Sequence, residues 1–194
     1  MLKTLIVLAA VVLCTIWAQV PRPCESPRQW EGRFNRFDRE SNYSRYARIV
    51  YDAIGRRVSE MEEIEIGSTK EHYHVLRLYM ERKEYRLNLR TKECNVTTLT
   101  RPFIEIGLPP NATFSNSFVI GLSGLPNEHL TAVLFEGSFE GGKYFGIVST
   151  PDCFPVRFGF DSPVHGFEDT LFYDIKAGDP DPNAFLPPSA CSGL

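Results

Sequence analysis

Apolar and polar residues alternate with a period of two through most of this sequence after residue 28. Successive side chains of a β-strand point to opposite faces of its sheet, so this period indicates strands that are buried on one side. The runs end at glycine, proline, asparagine or aspartate, which favour turns. No window shows the 3.6-residue period of an amphipathic helix. The sequence therefore predicts an all-β chain of about eleven antiparallel strands.

The predicted strands form two groups that are separated by a segment rich in proline and glycine, Arg101 to Asn111. We predict an irregular loop there, because proline cannot donate to a β ladder. The same reasoning excludes a strand from the tail after Gly178, which holds at most one helical turn capped by Asp181. The strands are expected at Gln29 to Phe37, Tyr43 to Tyr51, Arg57 to Ile66, His72 to Met80, Glu84 to Arg90, Cys94 to Thr100, Phe114 to Leu122, Glu128 to Phe139, Lys143 to Thr150, Phe154 to Asp161 and Thr170 to Lys176.

The N-terminus has the pattern of a secretory signal peptide. Lys3 precedes an apolar run from Leu5 to Trp17, and Ala18 is a small residue suited to a cleavage site. A membrane span needs roughly 20 apolar residues, and this run is shorter. We therefore predict a signal peptide at residues 1–18 and a single domain at residues 19–194. No later segment is apolar enough to span a membrane, so we expect a soluble, secreted protein.

Cysteines and sequons agree with that compartment. Cleavage would remove Cys14 and leave four widely spaced cysteines, which predict two disulfides in any of three connectivities and do not resemble a zinc site. Three N-x-S/T sequons predict N-glycosylation at Asn42, Asn95 and Asn111. The cysteines are Cys24, Cys94, Cys153 and Cys191.

Charge and motifs argue against several functions. The net charge is −3 and no basic stripe is present, so nucleic acid is a poor partner. No GxSxG, HExxH or P-loop motif occurs, so we predict that the chain is not an enzyme. His72 and His74 would share one face of a strand, but no ligand partner lies near them in sequence, and a polar strand face is the favoured interpretation.

An acidic run on one predicted strand raises the question of calcium. The carboxylates of Glu60, Glu62, Glu63 and Glu65 are ligands of the kind that Ca²⁺ prefers, yet the spacing is not that of an EF-hand. A solvated strand face is the favoured interpretation. No cofactor is required on this reading, and a calcium site built from distant strands stays open.

The aromatic content is high, with 14 Phe, 8 Tyr and 2 Trp. Aromatic side chains at alternate strand positions are expected in a core, and this is the simpler interpretation. They could also line a cavity for an apolar ligand, as curved sheets and barrels often do. The candidate pocket residues are Trp30, Phe34, Tyr73, Val75, Tyr79, Phe118, Phe135, Phe145, Phe158, Phe160 and Phe172.

Four motifs resemble the ependymin family. They are PCESPRQWEGRF from Pro23 to Phe34, PDCFPV from Pro151 to Val156, LFYDI from Leu171 to Ile175, and PNAFLPPSAC from Pro182 to Cys191. They occur in the family's order along essentially the whole chain after the predicted signal peptide.

The resemblance implies two stacked, curved antiparallel sheets that form a half-open barrel-like sandwich, similar to bacterial lipoprotein carriers, around a hydrophobic pocket. It also implies the disulfides Cys24–Cys153 and Cys94–Cys191. By the same resemblance we expect a homodimeric glycoprotein, secreted or lysosomal, that binds a hydrophobic or lipid-like molecule such as a fatty acid or a ganglioside. The alternative is a calcium-linked cell–matrix adhesion protein without an enzymatic role.

Overall fold

The structure, a computed structural model, describes residues 21–125, 127–164 and 166–192. The predicted signal peptide lies outside these residues. The prediction of an all-β chain is confirmed. The strands are β1 (Gln29–Asp38), β2 (Tyr43–Asp52), β3 (Arg57–Ile66), β4 (Thr69–Leu78), β5 (Lys83–Asn88), β6 (Cys94–Thr98), β7 (Thr113–Gly121), β8 (His129–Phe139), β9 (Gly142–Ser149), β10 (Pro155–Ser162) and β11 (Gly166–Ala177).

All eleven strands belong to one antiparallel sheet, in the order β6-β5-β4-β3-β2-β1-β11-β10-β9-β8-β7. The first six strands form one half and the last five form the other, and the pairing of β1 with β11 joins them. The edge strands β6 and β7 do not pair, so the sheet is not closed. This arrangement agrees with the predicted half-open sandwich, with one continuous ladder in place of two separate sheets.

Two strands begin three or more residues earlier than their apolar pattern predicts. β4 begins at Thr69 and not at His72, and β11 begins at Gly166 and not at Thr170. In β4 the additional residues pair across a tight turn, where Ile66 faces Thr69 and Gly67 has a φ of 59°. Backbone hydrogen bonds do not require apolar side chains, so polar strand ends are missed by a hydrophobic pattern.

The register assigns the side chains to two faces. We define the inner face as the one that carries Trp30 and Phe34 on β1. Their partners Tyr51 and Ala47 on β2, and Phe172 on β11, share that face. The outer face carries the residues between them, such as Arg33 and its partners.

Apolar clusters cover parts of both faces. On the inner face, one cluster surrounds Trp30 in the first half and another surrounds Phe135 in the second half. On the outer face, Leu76 and Tyr85 pack against Phe185 of the C-terminal tail. The tail contains two short 3-10 helices, Pro182–Phe185 and Ser189–Cys191, so the prediction of at most one helical turn is wrong, although Asp181 caps the first of them as predicted.

Two disulfides fasten the segments that carry no strand. Cys24–Cys153 joins the segment before β1 to the β9–β10 connection, and Cys94–Cys191 fastens the tail to the start of β6. The presence of two disulfides is thus confirmed, in the pairing that the resemblance implied. Within the described residues, no helix has the length and apolar character needed to cross a membrane.

Candidate functional site on the inner face

The centre of the inner face is a group of packed aromatic rings. The ring centroid of Trp30 lies 5.3 Å from that of Tyr51 and 6.0 Å from that of Phe172. Phe34 lies 6.0 Å from the same Phe172 ring. Trp30 is fully buried. Strands β1, β2 and β11 thus supply a continuous aromatic surface, because the register places these residues directly opposite one another.

The segment between β6 and β7 covers this surface. Phe103 stacks on Tyr51 at 6.0 Å and meets the edge of Tyr79 at 5.0 Å. The backbone N–H of Ile106 donates to the Tyr51 hydroxyl oxygen at 3.0 Å. Burial raises the pKa of Tyr51 to about 12, so this hydroxyl stays protonated at physiological pH. The predicted loop is therefore irregular, as expected, and it lies packed against the sheet.

The same segment continues over the second half of the sheet. A Cβ atom on Gly146 would lie 2.6 Å from Cδ2 of Leu108, so the absence of a side chain at Gly146 leaves room for Leu108 to lie against the sheet. Ala112 then packs into the cluster that contains Phe135 and Phe158. We call residues 101–112 the cover segment.

The register separates the predicted pocket residues by face. Phe118 pairs with Ala132, and Phe145 pairs with Gly159; these positions are on the outer face. The outer-face Phe145 stacks on Phe167 with 6.4 Å between ring centroids. These two residues therefore do not line an inner-face cavity. The inner face carries the other candidates: Trp30, Phe34, Tyr73, Val75, Tyr79, Phe135, Phe158, Phe160 and Phe172.

A buried ionic network lies beside the aromatic centre. Arg45 donates from Nε to Glu62 at 2.6 Å and also pairs with Glu60. Arg77 donates to Glu60 at 2.6 Å and to Glu84 at 2.7 Å. Glu60 and Glu62 are 5% and 3% exposed. The network also includes Arg86, whose Nη2 lies 3.1 Å from Oε1 of Glu62, a distance for an ion pair but without hydrogen-bond alignment.

The predicted solvated face is wrong for two residues of the acidic run. Glu60 and Glu62 are buried on the inner face, whereas Glu63 and Glu65 lie on the outer face near Lys70. Burial raises the pKa of the Glu60 carboxyl, but the charges of Arg45 and Arg77 outweigh it and the net shift is downward. Each pair of carboxylates thus has cations of its own.

The structure assigns no metal to the residues considered from sequence. His72 contacts Glu63 at 3.0 Å, and His74 contacts Ser59 Oγ at 3.1 Å. Across the described ranges, no group of three or more His, Cys, Asp or Glu side chains is placed to hold a metal ion. The calcium site stays a prediction. The sequon residues Asn42, Asn95 and Asn111 are all exposed, so each could carry a glycan.

The sequence pattern did not predict several residues of the site. The cover-segment side chains Phe103 and Leu108 contact the inner face, although the segment has no strand period. Tyr144 also faces inward and stacks on Phe158 at 5.8 Å. The sequence pattern predicts its neighbour Phe145 as a pocket residue instead. Adjacent residues on one strand point to opposite faces, and the local sequence does not show which of the two faces inward.

These features define an all-β, disulfide-bonded protein with a half-open sheet whose aromatic inner face is covered by an irregular segment. The family model for ependymin matches residues 67–191, and the chain belongs to the ependymin family. Mammalian ependymin-related protein 1 of Mus musculus is 29% identical over 175 residues, covering 88% of this chain and 77% of the relative. Ependymin of Notemigonus crysoleucas is 24% identical over 198 residues, covering 99% and 90%.

A solved structure shares the fold. It is described as an uncharacterized conserved protein from Thermus thermophilus, and it superposes with a TM-score of 0.53 at 13% identity. The match covers 84% of this chain and 88% of that chain. At this identity the likeness concerns the fold alone.

Proposed function

We propose that the protein is a secreted glycoprotein that holds a hydrophobic or lipid-like ligand, such as a fatty acid or a ganglioside, between the inner face and the cover segment. The observation that carries the proposal is the nature of the cover. An aromatic surface centred on Trp30 and Phe172 is shielded by an irregular segment and not by a further layer of strands. Such a segment can move without breaking the β ladder.

Two buried donors on the inner face support a ligand with a polar group. Trp30 Nε1 and the Tyr144 hydroxyl have no hydrogen-bond partner among the described residues. Leaving a buried donor unpaired costs about 1–3 kcal/mol, so an acceptor on a ligand would bind favourably there. An amphipathic molecule can place an oxygen on these donors and its apolar part on the surrounding rings.

The energetics require the ligand to replace contacts that the cover segment now makes. Apolar surface transferred from water contributes about 25 cal/mol per Å² before the costs of association are subtracted. Phe103 contacts Tyr51 and Tyr79, and a ligand that takes its place would form similar ring contacts. Binding therefore includes displacement of the cover segment.

The proposal also covers the compartment and the oligomeric state of the protein. We place the protein in the extracellular space or the lysosomal lumen, as a homodimer without enzymatic activity. The adhesion alternative rests on calcium, and the two most buried carboxylates of the acidic run are bound to Arg45, Arg77 and Arg86 and are not free ligands. We therefore favour the carrier function.

The test is native mass spectrometry of the glycoprotein secreted from animal cells, followed by organic extraction and titration with a fluorescent fatty acid. Phe158→Asp changes a half-buried ring on the inner face, and Phe145→Asp is the matched control, half-buried on the outer face. We expect Phe158→Asp to abolish uptake, Phe145→Asp to retain it, and Phe103→Ala to accelerate it. Secretion yield and the melting temperature show whether each variant folds.

A lipid that co-purifies with the chain and is lost from Phe158→Asp would support the proposal. A protein that carries no lipid and takes up none, even as Phe103→Ala, would contradict it. In that case the aromatic rings on the inner face would serve only as the hydrophobic core of the fold.

A further inference from the structure

Three connections meet at one end of the first half of the sheet. The backbone N–H of Tyr79 donates to the carbonyl of Arg56 at 3.1 Å, which joins the β4–β5 turn to the β2–β3 turn. Leu99 N–H donates to the carbonyl of Arg82 at 2.9 Å, which adds the segment after β6. Between them lies a groove of about 330 Å³ whose apolar lining includes Tyr79 and Phe103.

Three arginines surround this groove without acidic partners. Arg56, Arg82 and Arg101 line it and are exposed, and no acidic residue is part of its lining. Within the described part of the chain none of the three forms an ion pair, whereas the arginines of the inner face do. The chain as a whole has a net charge of −3, so this group of unpaired cations is a local feature.

Exposed apolar side chains lie beside the arginines. Ile54 precedes Arg56 in the β2–β3 turn and is 62% exposed. Met80 in the β4–β5 turn is 72% exposed, and Ile104, next to Phe103, is 65% exposed. Large apolar residues gain nothing from protruding into water at turns, where polar residues are the norm.

We propose that this end of the molecule, the docking edge, binds the surface of an anionic lipid membrane. The docking edge consists of Ile54, Arg56, Met80, Arg82, Arg101 and Ile104. Apolar side chains at turn tips can enter the boundary between headgroups and acyl chains, while arginines bind the lipid phosphates. This inference goes beyond the proposed ligand. Arg101 and Ile104 also belong to the cover segment, whereas Ile54, Arg56, Met80 and Arg82 lie outside it.

The placement of two of the three sequons is compatible with this orientation. Turns of an antiparallel meander alternate between its two ends, so the β1–β2 and β5–β6 turns lie opposite the β2–β3 and β4–β5 turns. Asn42 is in the first of these turns, and Asn95 lies at the start of β6, next to the second. Glycans at both positions would point away from a membrane bound at the docking edge.

A sulfated glycan could also bind three arginines. It would gain little from Ile54, Met80 and Ile104, however, because such a polymer offers no apolar phase for protruding aliphatic side chains. The combination of unpaired arginines with exposed aliphatic residues favours the membrane.

The experiment is flotation of the secreted glycoprotein with vesicles of phosphatidylcholine, with and without phosphatidylserine, at several salt concentrations. Arg101→Gln and Arg82→Asn each remove one charge, and asparagine suits the φ of 54° at residue 82. Each should lower the partition coefficient about fivefold on the anionic vesicles. Met80→Ser should weaken binding to a similar degree by removing apolar contact.

Matched controls come from the opposite end. Arg39 in the β1–β2 turn is exposed and has no ion pair among the described residues, and Val164 in the β10–β11 turn is 79% exposed. Arg39→Gln and Val164→Ser should leave flotation unchanged. Melting temperatures should be equal for all variants, since every substitution is on the surface.

Binding that requires phosphatidylserine, weakens with salt and is lost only in the docking-edge variants would support the inference. Three results would overturn it: no flotation with anionic vesicles, equal loss in the controls, or retention on heparin without vesicle binding. Extraction of a bound lipid, tested separately, reports on the inner face and is independent of these outcomes.

Discussion

The glutamates of the acidic run on strand β3 lie in opposite environments on its two faces. Glu60 and Glu62 point inward and are almost completely buried, whereas Glu63 and Glu65 point outward and remain accessible. All four lie within six consecutive residues and are chemically identical. The alternation of a strand explains why they separate into pairs, but it does not say which pair is buried.

The neighbouring strands decide that question. On the inner face, Glu60 lies between Ile49 and Val75, which are both buried. Its cations, Arg45 and Arg77, come from the same two strands and replace the water that the carboxylate loses. On the outer face, Lys70 and His72 contact Glu63 while all three stay in solvent. Burial by neighbours turns an ordinary ion pair into a structural requirement.

The largest effect is expected from removing an inner charge. Glu60→Gln leaves Arg45 and Arg77 without the carboxylate that they share, and breaking a buried pair from one side costs about 3–5 kcal/mol. Urea unfolding with both disulfides intact should show this loss in the free energy of unfolding. A loss of less than about 1 kcal/mol would place Glu60 among ordinary surface pairs and remove the contrast between the faces.

Lowering the pH should reduce the difference in unfolding free energy between wild type and Glu60→Gln. Burial raises the pKa of Glu60 and its arginines lower it by more, so the folded-state pKa is below the unfolded value of about 4.3. The ion-pair stabilisation is complete above about pH 4.3 and is lost as the pH falls through the folded-state pKa.

Wild type and Glu60→Gln should therefore differ progressively less in unfolding free energy as the pH falls below about 4.3. Urea titrations at a series of pH values measure this convergence. Parallel pH profiles for the two proteins would show that Glu60 is not the titrating group.

A smaller pH effect is expected from the outer face. His74 lies between Met61 and Leu87, and burial lowers the pKa of its imidazole. The folded state thus binds this proton less readily than the unfolded chain, whose histidine pKa is about 6.5. Stability is complete above about pH 6.5 and declines as the pH falls toward the lower folded-state pKa.

The variant His74→Gln isolates this effect, because glutamine can still hydrogen-bond to Ser59. Its unfolding midpoint in urea should vary less than that of wild type as the pH falls from about 6.5 to about 5. An unchanged slope would assign the titration to another group.

The strands could be predicted because each has one apolar face, and the period of two is visible wherever that face is buried. The inner-face network could not be predicted, since Arg45, Glu60, Arg77 and Arg86 come from four strands and meet only through the register. The acidic run was interpreted as solvated because, in one strand, a glutamate beside arginines looks the same as a glutamate in water.

The pocket candidates show the same limit. Trp30, Phe34 and Phe172 were placed correctly on one face by alternation and by the register that follows from it. Phe118 was assigned to the wrong face because β7 contains a register shift between Phe114 and Asn116, which the residue types do not predict. The cover segment was recognised as irregular from its prolines, but only the folded structure shows that Phe103 reaches Tyr51 and Tyr79.

The smallest effect on stability is expected from a glutamate on the outer face of the same strand. Glu63→Gln removes the same charge from the same strand, and it breaks the contacts to Lys70 and His72. Both partners remain in water, so they regain by hydration what they lose in pairing, and the urea midpoint should not move measurably.

Added salt should likewise have little effect on the stability of wild type or of Glu63→Gln, since the inner network is shielded from solvent ions and the outer pairs contribute little. A clear shift in Glu63→Gln would mean that the outer face is buried in solution, as contact with a second copy of the chain would cause. The loss of that shift on dilution would then identify the dimer and show that burial, supplied from outside the chain, can make the outer pair as important as the inner one.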